Sequence, residues 1–146
     1  DALMSGTRRR SPVFLVMAAE GELAFFEFDK IMGGCERCCT AHTRLRVNLL
    51  NELAEKYWAL RRKTAYLSAS SLRKRAAMLL VDLWRSAGDD EFSLGFSRED
   101  MADYLAVNRS ALSRELSRMQ REGMIAYSRG SFRVLDAKAL LSAAGE

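Results

Sequence analysis

Four side chains of the types that can bind metals or undergo redox chemistry lie close together in the first third of the chain. They are Cys35, Cys38, Cys39 and His42, and their spacing would place all four on one face of a helix. Thiolates and imidazole suit zinc, copper(I) or an iron–sulfur cluster. One helical face spreads them along about 10 Å, too far for a single tetrahedral ion without another ligand. We therefore expect no metal and no evident cofactor, and we keep a redox- or metal-responsive input site as the alternative.

A second distinctive set of side chains lies between Asn108 and Arg133, where the sequence has six arginines and only two glutamates. The spacing predicts a helix from Arg109 to about Glu122, capped by Asn108 and ended by Gly123. Its outer face would carry Ser110, Ser113, Arg114, Ser117 and Arg121, with Arg109 at the first turn. Small side chains let a helix lie deep in the major groove of DNA, where arginine can donate two hydrogen bonds to guanine.

The segments on either side of this helix predict a winged helix-turn-helix. Ser97-Arg98-Glu99-Asp100 matches a capping pattern and opens a short helix that ends near Ala106. Two short helices joined by about three residues form a helix-turn-helix unit. Apolar runs on both sides of Arg129-Gly130 predict a hairpin, the wing. We expect Ser97, Arg98, Asn108 and Arg129 to hold DNA phosphates.

A long helix is predicted from residue 35 to residue 67, a stretch without proline or glycine. Its apolar stripe steps by three or four residues through Leu45, Leu49, Leu53, Tyr57 and Leu60. A helix with so wide a stripe usually packs against a second copy of itself. A core helix within a single domain is the alternative.

The N-terminal segment, Pro12 to Phe28, has two apolar runs around a Glu-Gly-Glu turn and predicts a β-hairpin. We expect it to be the end of a larger sensor domain. The predicted fold is α+β and mainly α. Its parts are an incomplete sensor β-roll (1–34), a dimerisation helix (35–67) and a winged helix-turn-helix domain (68–146).

Bulk properties exclude several classes of protein. The longest apolar run, Val13 to Ala19, is far below the roughly 18 residues of a membrane span. The clustered cysteines do not resemble a disulfide framework, so we expect a cytoplasmic protein. The only histidine is His42, and no Ser/Cys–His–acid set is visible, so we expect no enzyme. The net charge of +4 favours an acidic partner.

The segment 97–125 resembles the DNA-binding signature of the Crp–Fnr regulators. The resemblance is carried by Ser97-Arg98-Glu99-Asp100-Met101-Ala102, by Arg109-Ser110-Ala111-Leu112-Ser113-Arg114 and by Glu122-Gly123-Met124-Ile125. It implies a transcription regulator that binds a near-palindromic site in double-stranded DNA as a homodimer and works with RNA polymerase. It also implies that residues 12–32 are the last strands of a cyclic-nucleotide-like β-roll and that residues 42–67 form the dimerisation helix.

Three positions depart from the family pattern. Ser110 stands where the family commonly has glutamate, which leaves the base preference open. Ala106 replaces a usual turn glycine, a position that favours positive φ. The Arg10-Ser11 pair lies about two residues too early to hold a cyclic nucleotide phosphate. Cyclic AMP binding is therefore not supported, and the effector is unknown.

Overall fold

A computed structural model describes residues 16–17, 19–22, 24–33, 39–95, 97–128 and 130–146. The chain divides into two compact units, residues 1–58 and residues 59–146. The helices and strands, in chain order, are α1 (Phe28–Met32), α2 (Thr40–Ser68), α3 (Leu72–Ala87), β1 (Glu91–Ser93), α4 (Arg98–Tyr104), α5 (Arg109–Arg121), β2 (Ile125–Ser128), β3 (Ser131–Val134) and α6 (Ala137–Ala144). The mainly helical α+β fold predicted from the sequence is confirmed.

The predicted N-terminal hairpin is not formed among the described residues of that segment. Residues 16–17, 19–22 and 24–27 have no strand, and the short helix α1 begins at Phe28. The apolar side chains that suggested a half-buried strand are exposed, with Phe25 91% accessible. Two isolated strands are marginal without a further strand or a helix to cover them, and these residues provide neither.

Helix α2 begins at Thr40, five residues later than predicted, and runs for 29 residues to Ser68. Helix-favouring side chains and an i,i+4 ion pair between Glu52 and Lys56 support it, with 3.4 Å between oxygen and nitrogen. Its apolar stripe stays largely exposed, and only Tyr66 near its end is buried. The helix ends shortly before Ser71, which caps α3 by accepting a hydrogen bond from the Lys74 amide.

Helices α3 and α6 pack together beneath the helix-turn-helix, and α3 ends at Gly88 in the left-handed conformation. A three-stranded antiparallel sheet in the order β1-β3-β2 closes the domain. The predicted wing forms its β2–β3 hairpin, with Tyr127 opposite Phe132. β1 pairs with β3, placing Phe92 also opposite Phe132.

One continuous apolar core holds these elements together. Alternation along the strands and 3.6-residue periodicity along the helices send their apolar side chains to the same interior. Its largest fully buried members are Leu80, Val81, Met101, Leu105, Leu112, Leu116, Met119, Ile125, Phe132 and Leu140. Because α4, α5 and the sheet all contribute, this core fixes the orientation of α5 within the domain.

Candidate nucleic-acid interface

The first helix of the motif, α4, begins at a complete capping box. The Ser97 hydroxyl accepts a hydrogen bond from the Asp100 amide at 3.2 Å, and the Asp100 carboxylate accepts one from the Ser97 amide at 2.9 Å. The hydrogen bonds from Ser97 lower the pKa of the Asp100 carboxyl. The Ser97 side chain is thus engaged in the cap, and the capping pattern predicted from the sequence is confirmed.

The turn between α4 and α5 contains a left-handed alanine. Ala106 has a φ of 51°, the only positive φ at a non-glycine position among the described residues. The amide of Val107 donates to the Ala102 carbonyl at 2.9 Å, which closes the turn. Alanine is less favourable than glycine at positive φ, because glycine has no Cβ. The positive φ expected at this position is confirmed.

Asn108 begins the second helix. Its side-chain oxygen accepts hydrogen bonds from the Ser110 amide at 2.8 Å and from the Ser110 hydroxyl at 2.6 Å. An asparagine cap satisfies amides that the helix leaves unpaired. The cap fixes the amino-terminal end of α5, with Arg109 exposed beside it.

The outer face of α5 carries exposed arginines and serines. Arg109, Ser110, Arg114 and Ser117 are exposed, whereas Ser113 is half-buried. The opposite face buries Leu112, Leu116 and Met119. Among the described residues no carboxylate pairs with Arg109, Arg114 or Arg121. Their guanidinium groups therefore remain available to an anionic partner, and the predicted division of α5 into an inner and an outer face is confirmed.

The flank of α5 has the opposite character, because its charges are neutralised within the protein. Arg73 of α3 pairs with Glu122 and lies 3.4 Å from the Glu115 carboxylate, while Arg118 pairs with Glu122 at 3.0 Å. The hydrogen bond from Arg73, aided by Arg118, lowers the pKa of Glu122 to about 2. These charges hold α5 against α3.

A cluster at the carboxyl-terminal half of α5 joins all three parts of the motif. The guanidinium carbon of Arg98, at the start of α4, lies 4.1 Å from the centroid of the Tyr127 ring on β2. The Tyr127 hydroxyl lies 2.9 Å from the Ser117 hydroxyl of α5. Burial raises the pKa of Tyr127, but the hydrogen bonds from Ser117 and Arg98 and the charge of Arg98 outweigh it, so the pKa is lowered.

Sequence reasoning placed Arg98 and Ser117 at the interface but missed Tyr127 and Arg73. The sequence pattern marks Tyr127 only as an apolar strand residue, and Arg73 only as one of several basic residues on α3. The sequence contained one signal for the position of Tyr127. Side chains alternate between the two faces of a strand, which places Tyr127 on the same face of β2 as Ile125. The contacts themselves join residues 10 to 49 positions apart, beyond the reach of local patterns.

The remaining candidate positions fall elsewhere. Arg129, Cys35 and Cys38 lie outside the described residues. Cys39 precedes α2 and His42 lies in its first turn, so the prediction that all four metal-binding candidates share a helix is wrong for Cys39. The helix starts too late to include it. Within the described ranges no group of three or more His, Cys, Asp or Glu is arranged to hold a metal ion.

Residues 74–143 match the Crp-like helix-turn-helix domain. The chain is 33% identical over 95 residues to the probable transcriptional regulator flp of Lacticaseibacillus casei, covering 65% of this chain and 43% of that protein. It is 37% identical over 112 residues to the transcriptional activator FnrL of Cereibacter sphaeroides, covering 70% of this chain and 44% of that protein. The chain thus spans less than half the length of these curated relatives.

Solved structures have the same fold. A CRP-family transcriptional regulator from Thermus thermophilus superposes with a TM-score of 0.56 at 28% identity, covering 66% of this chain and 52% of that one. FixK2 from Bradyrhizobium japonicum superposes with a TM-score of 0.62 at 20% identity, covering 68% and 52%. The matched domain contains α4, the turn at Ala106, α5 and the wing. Residues 74–143 therefore form a Crp-like helix-turn-helix domain, and the chain is similar to regulators of the Crp–Fnr family.

Proposed function

We propose that this protein is a transcription regulator that binds double-stranded DNA in a sequence-specific manner. The observation that carries the proposal is the outer face of α5. It exposes Arg109, Arg114 and Arg121 without a carboxylate partner among the described residues, between side chains as small as serine. A solvated helix face ordinarily neutralises its own charges through i,i+4 pairs. This face instead leaves them for a polyanion.

The proposed division of labour follows from position. Arg109 and Arg114 contact bases, because bidentate hydrogen bonds to guanine require an arginine that projects directly from the inserted helix. Ser110 and Ser113 assist them. Ser97, Arg98, Asn108 and Arg129 lie near phosphates, where amides and cationic side chains fix the register of the protein on the duplex.

The proposal includes a homodimer formed along α2. Leu50 is 59% accessible, Leu60 66% and Tyr57 58%. Leu53, 39% accessible, and the half-buried Leu45 and Leu49 extend this apolar strip toward the start of the helix. A contiguous exposed apolar strip of this length marks a protein–protein contact. A second copy of α2 would cover it.

A dimer constrains the DNA site. Two recognition helices related by a two-fold axis contact the same side of the duplex about 34 Å apart, so the site is a near-palindrome. We place the protein in the cytoplasm, with RNA polymerase as its partner at the promoter, since one relative is named a transcriptional activator. No helix in the described ranges is both long and apolar enough to cross a bilayer.

The test is selection of bound fragments from genomic DNA, followed by sequencing. The proposal expects enrichment of one motif with two inverted half-sites whose centres are one helical turn apart, about 34 Å. Enrichment of fragments that share no motif would reduce the activity to general binding of a polyanion. Failure to retain any duplex at low salt would contradict the proposal.

A further inference from the structure

We propose that Tyr127 is a positioning residue for DNA binding: its ring is a platform that holds the Arg98 guanidinium toward the phosphate backbone. The inference rests on the proposed DNA-binding function and adds a residue and a role to it. Three contacts define the platform, and each reaches a different element of the winged helix-turn-helix.

The first contact is a cation–π interaction. The guanidinium carbon of Arg98 lies 4.1 Å from the centroid of the Tyr127 ring, well within the distance at which the ring quadrupole attracts a cation. A guanidinium stacked on a ring still directs its N–H groups outward in the plane of the group. Stacking therefore restricts the flexible arginine and still leaves N–H groups on its outer edge for a phosphate.

The other two contacts hold the ring itself. Tyr127 lies opposite the fully buried Phe132, with 5.5 Å between ring centroids, so the wing hairpin supports one side of the platform. Its hydroxyl lies 2.9 Å from the Ser117 hydroxyl, which ties the far end of the ring to α5. A ring supported at both ends leaves little freedom to the guanidinium stacked on it.

The location of the platform gives it a role in binding. Ser117 follows Ser110, Ser113 and Arg114 along the outer face of α5 at helical spacing. Tyr127 and Arg98 therefore flank the carboxyl-terminal half of the proposed DNA-reading face. A cation at the edge of a helix inserted in the major groove lies next to the phosphates that border the groove.

No acidic side chain competes for the guanidinium among the described residues. The flank arginines Arg73 and Arg118 are neutralised together by Glu115 and Glu122. Arg133 on the wing is neutralised by Glu91. Arg98 rests on an uncharged ring instead. No carboxylate among the described residues is paired with it, so its guanidinium is available to a phosphate.

The experiment measures affinity for a random-sequence DNA duplex by fluorescence anisotropy at several salt concentrations. The variants are Tyr127→Leu, Tyr127→Phe, Arg98→Ala and the double variant Tyr127→Leu/Arg98→Ala. Leucine keeps an apolar contact with Phe132 and removes the π face, whereas phenylalanine keeps the face and removes only the hydroxyl. Tyr104→Leu is the control, because it removes a ring that lies under Lys63, 5.1 Å from the centroid, on another face of α4.

We expect Tyr127→Leu to weaken binding about two- to fivefold, the fold-change that corresponds to an exposed cation–π contact. Tyr104→Leu should bind like the parent protein, and Tyr127→Phe should weaken binding less than Tyr127→Leu, because it keeps the π face and loses only the hydrogen bonds of the hydroxyl. Arg98→Ala should lower the salt slope by about 0.9 for each phosphate that is no longer neutralised. It should cause a smaller further weakening in the Tyr127→Leu background than in the parent, because the two residues act as a unit.

Several outcomes would overturn the inference. Multiplicative effects of the two single substitutions would show independent roles. Equal weakening in Tyr127→Phe and Tyr127→Leu would assign the effect to the hydrogen bonds of the Tyr127 hydroxyl and not to its ring. Tighter binding by Tyr127→Leu would show that the ring withholds Arg98 from DNA. If the parent protein itself fails to bind the duplex, the proposed function fails first. Thermal unfolding of each variant confirms that the comparison is made on folded protein.

Discussion

The helix-turn-helix domain buries its apolar residues, whereas the long helix α2 exposes many of its own. Within the domain the side chains of Leu80, Leu112 and Leu116 are at most 1% accessible to solvent. On α2 the leucine at position 50 is 59% accessible and the one at position 60 is 66% accessible. The same residue type therefore has two functions, interior packing in one region and an exposed strip in the other.

The difference indicates which part of the chain is self-sufficient. The domain combines helices α3 to α6 with a three-stranded sheet around its own core, which is sufficient for independent folding. A single helix has no interior of its own, and its stability comes largely from whatever packs against its apolar face. We therefore expect the domain to fold in the monomer, and the α2 strip to become buried only when two chains associate.

The largest expected effect is loss of the dimer on replacing Leu49 and Leu53 with aspartate. Each charge would be buried without a partner at the helix–helix contact, at a cost of several kcal/mol. Sedimentation should show a monomer whose helix-turn-helix domain still unfolds cooperatively. Asn51→Asp is the control, since it adds a charge to the opposite side of α2 and should leave the dimer intact. A dimer in the double variant would place the contact elsewhere.

Next in size is a cavity in the domain core. Leu116→Ala should lower the free energy of unfolding by about 2–5 kcal/mol, because Leu116 is fully buried between α5 and the rest of the core. Leu135→Ala is the matched control. It removes the same atoms from a side chain that is 55% accessible and should change stability by no more than about 0.5 kcal/mol. Urea unfolding of both variants measures the contrast, and equal destabilisation would contradict the assigned core.

A smaller loss of stability is expected from a substitution at Tyr66, where α2 joins the domain. Tyr66 is the buried residue of α2, and its hydroxyl donates to the Asp82 carboxylate of α3. Burial, followed by this hydrogen bond, raises the pKa of Tyr66. Tyr66→Phe should lower stability by about 1.5 kcal/mol, the lower end for a bond to a charged acceptor, because Asp82 is half-exposed. Tyr104→Phe should have no such effect, and equal unfolding curves for the two variants would refute the assignment.

The smallest effect concerns the charges between α3 and α5. Because Arg73 lowers the pKa of Glu122 to about 2 in the folded protein, this carboxylate stabilises the fold above its ordinary pKa near 4.5. That contribution is lost as the pH falls from about 4.5 toward 2. Glu122→Gln should be less stable than the parent at neutral pH, and the difference should shrink across this window in urea titrations. A difference independent of pH would exclude an ionic origin.

The elements with local signals were predictable from the sequence. Asn108 and the Ser97–Asp100 pair mark helix starts, because their short side chains bond to amides only two or three residues away. The left-handed Gly123 marks the end of α5 for an equally local reason. The two faces of α5 follow from its 3.6-residue period, so its exposed arginines and serines can be identified from the sequence alone.

What the sequence could not reveal depends on distant partners. The pairing of β1 with β3 joins Phe92 to Phe132, about 40 positions apart, and the Arg73–Glu122 pair spans 49 positions. Neither follows from periodicity. The N-terminal hairpin, which the described residues do not form, was mispredicted for the same reason, since a short apolar run forms a strand only where a sheet exists to receive it. Local chemistry sets the helix ends, whereas the packed domain determines which charges are neutralised and which remain free.

The central claim is that the outer face of α5 reads DNA sequence, and Arg114→Ala tests it most directly. Binding is measured on the selected motif and on a scrambled duplex of the same composition, at several salt concentrations. The account predicts a loss of about 1–3 kcal/mol per half-site on the motif, relaxed preference at one base pair and a much smaller loss on the scrambled DNA. Equal weakening on both duplexes would make the role of Arg114 purely electrostatic and would contradict the claim.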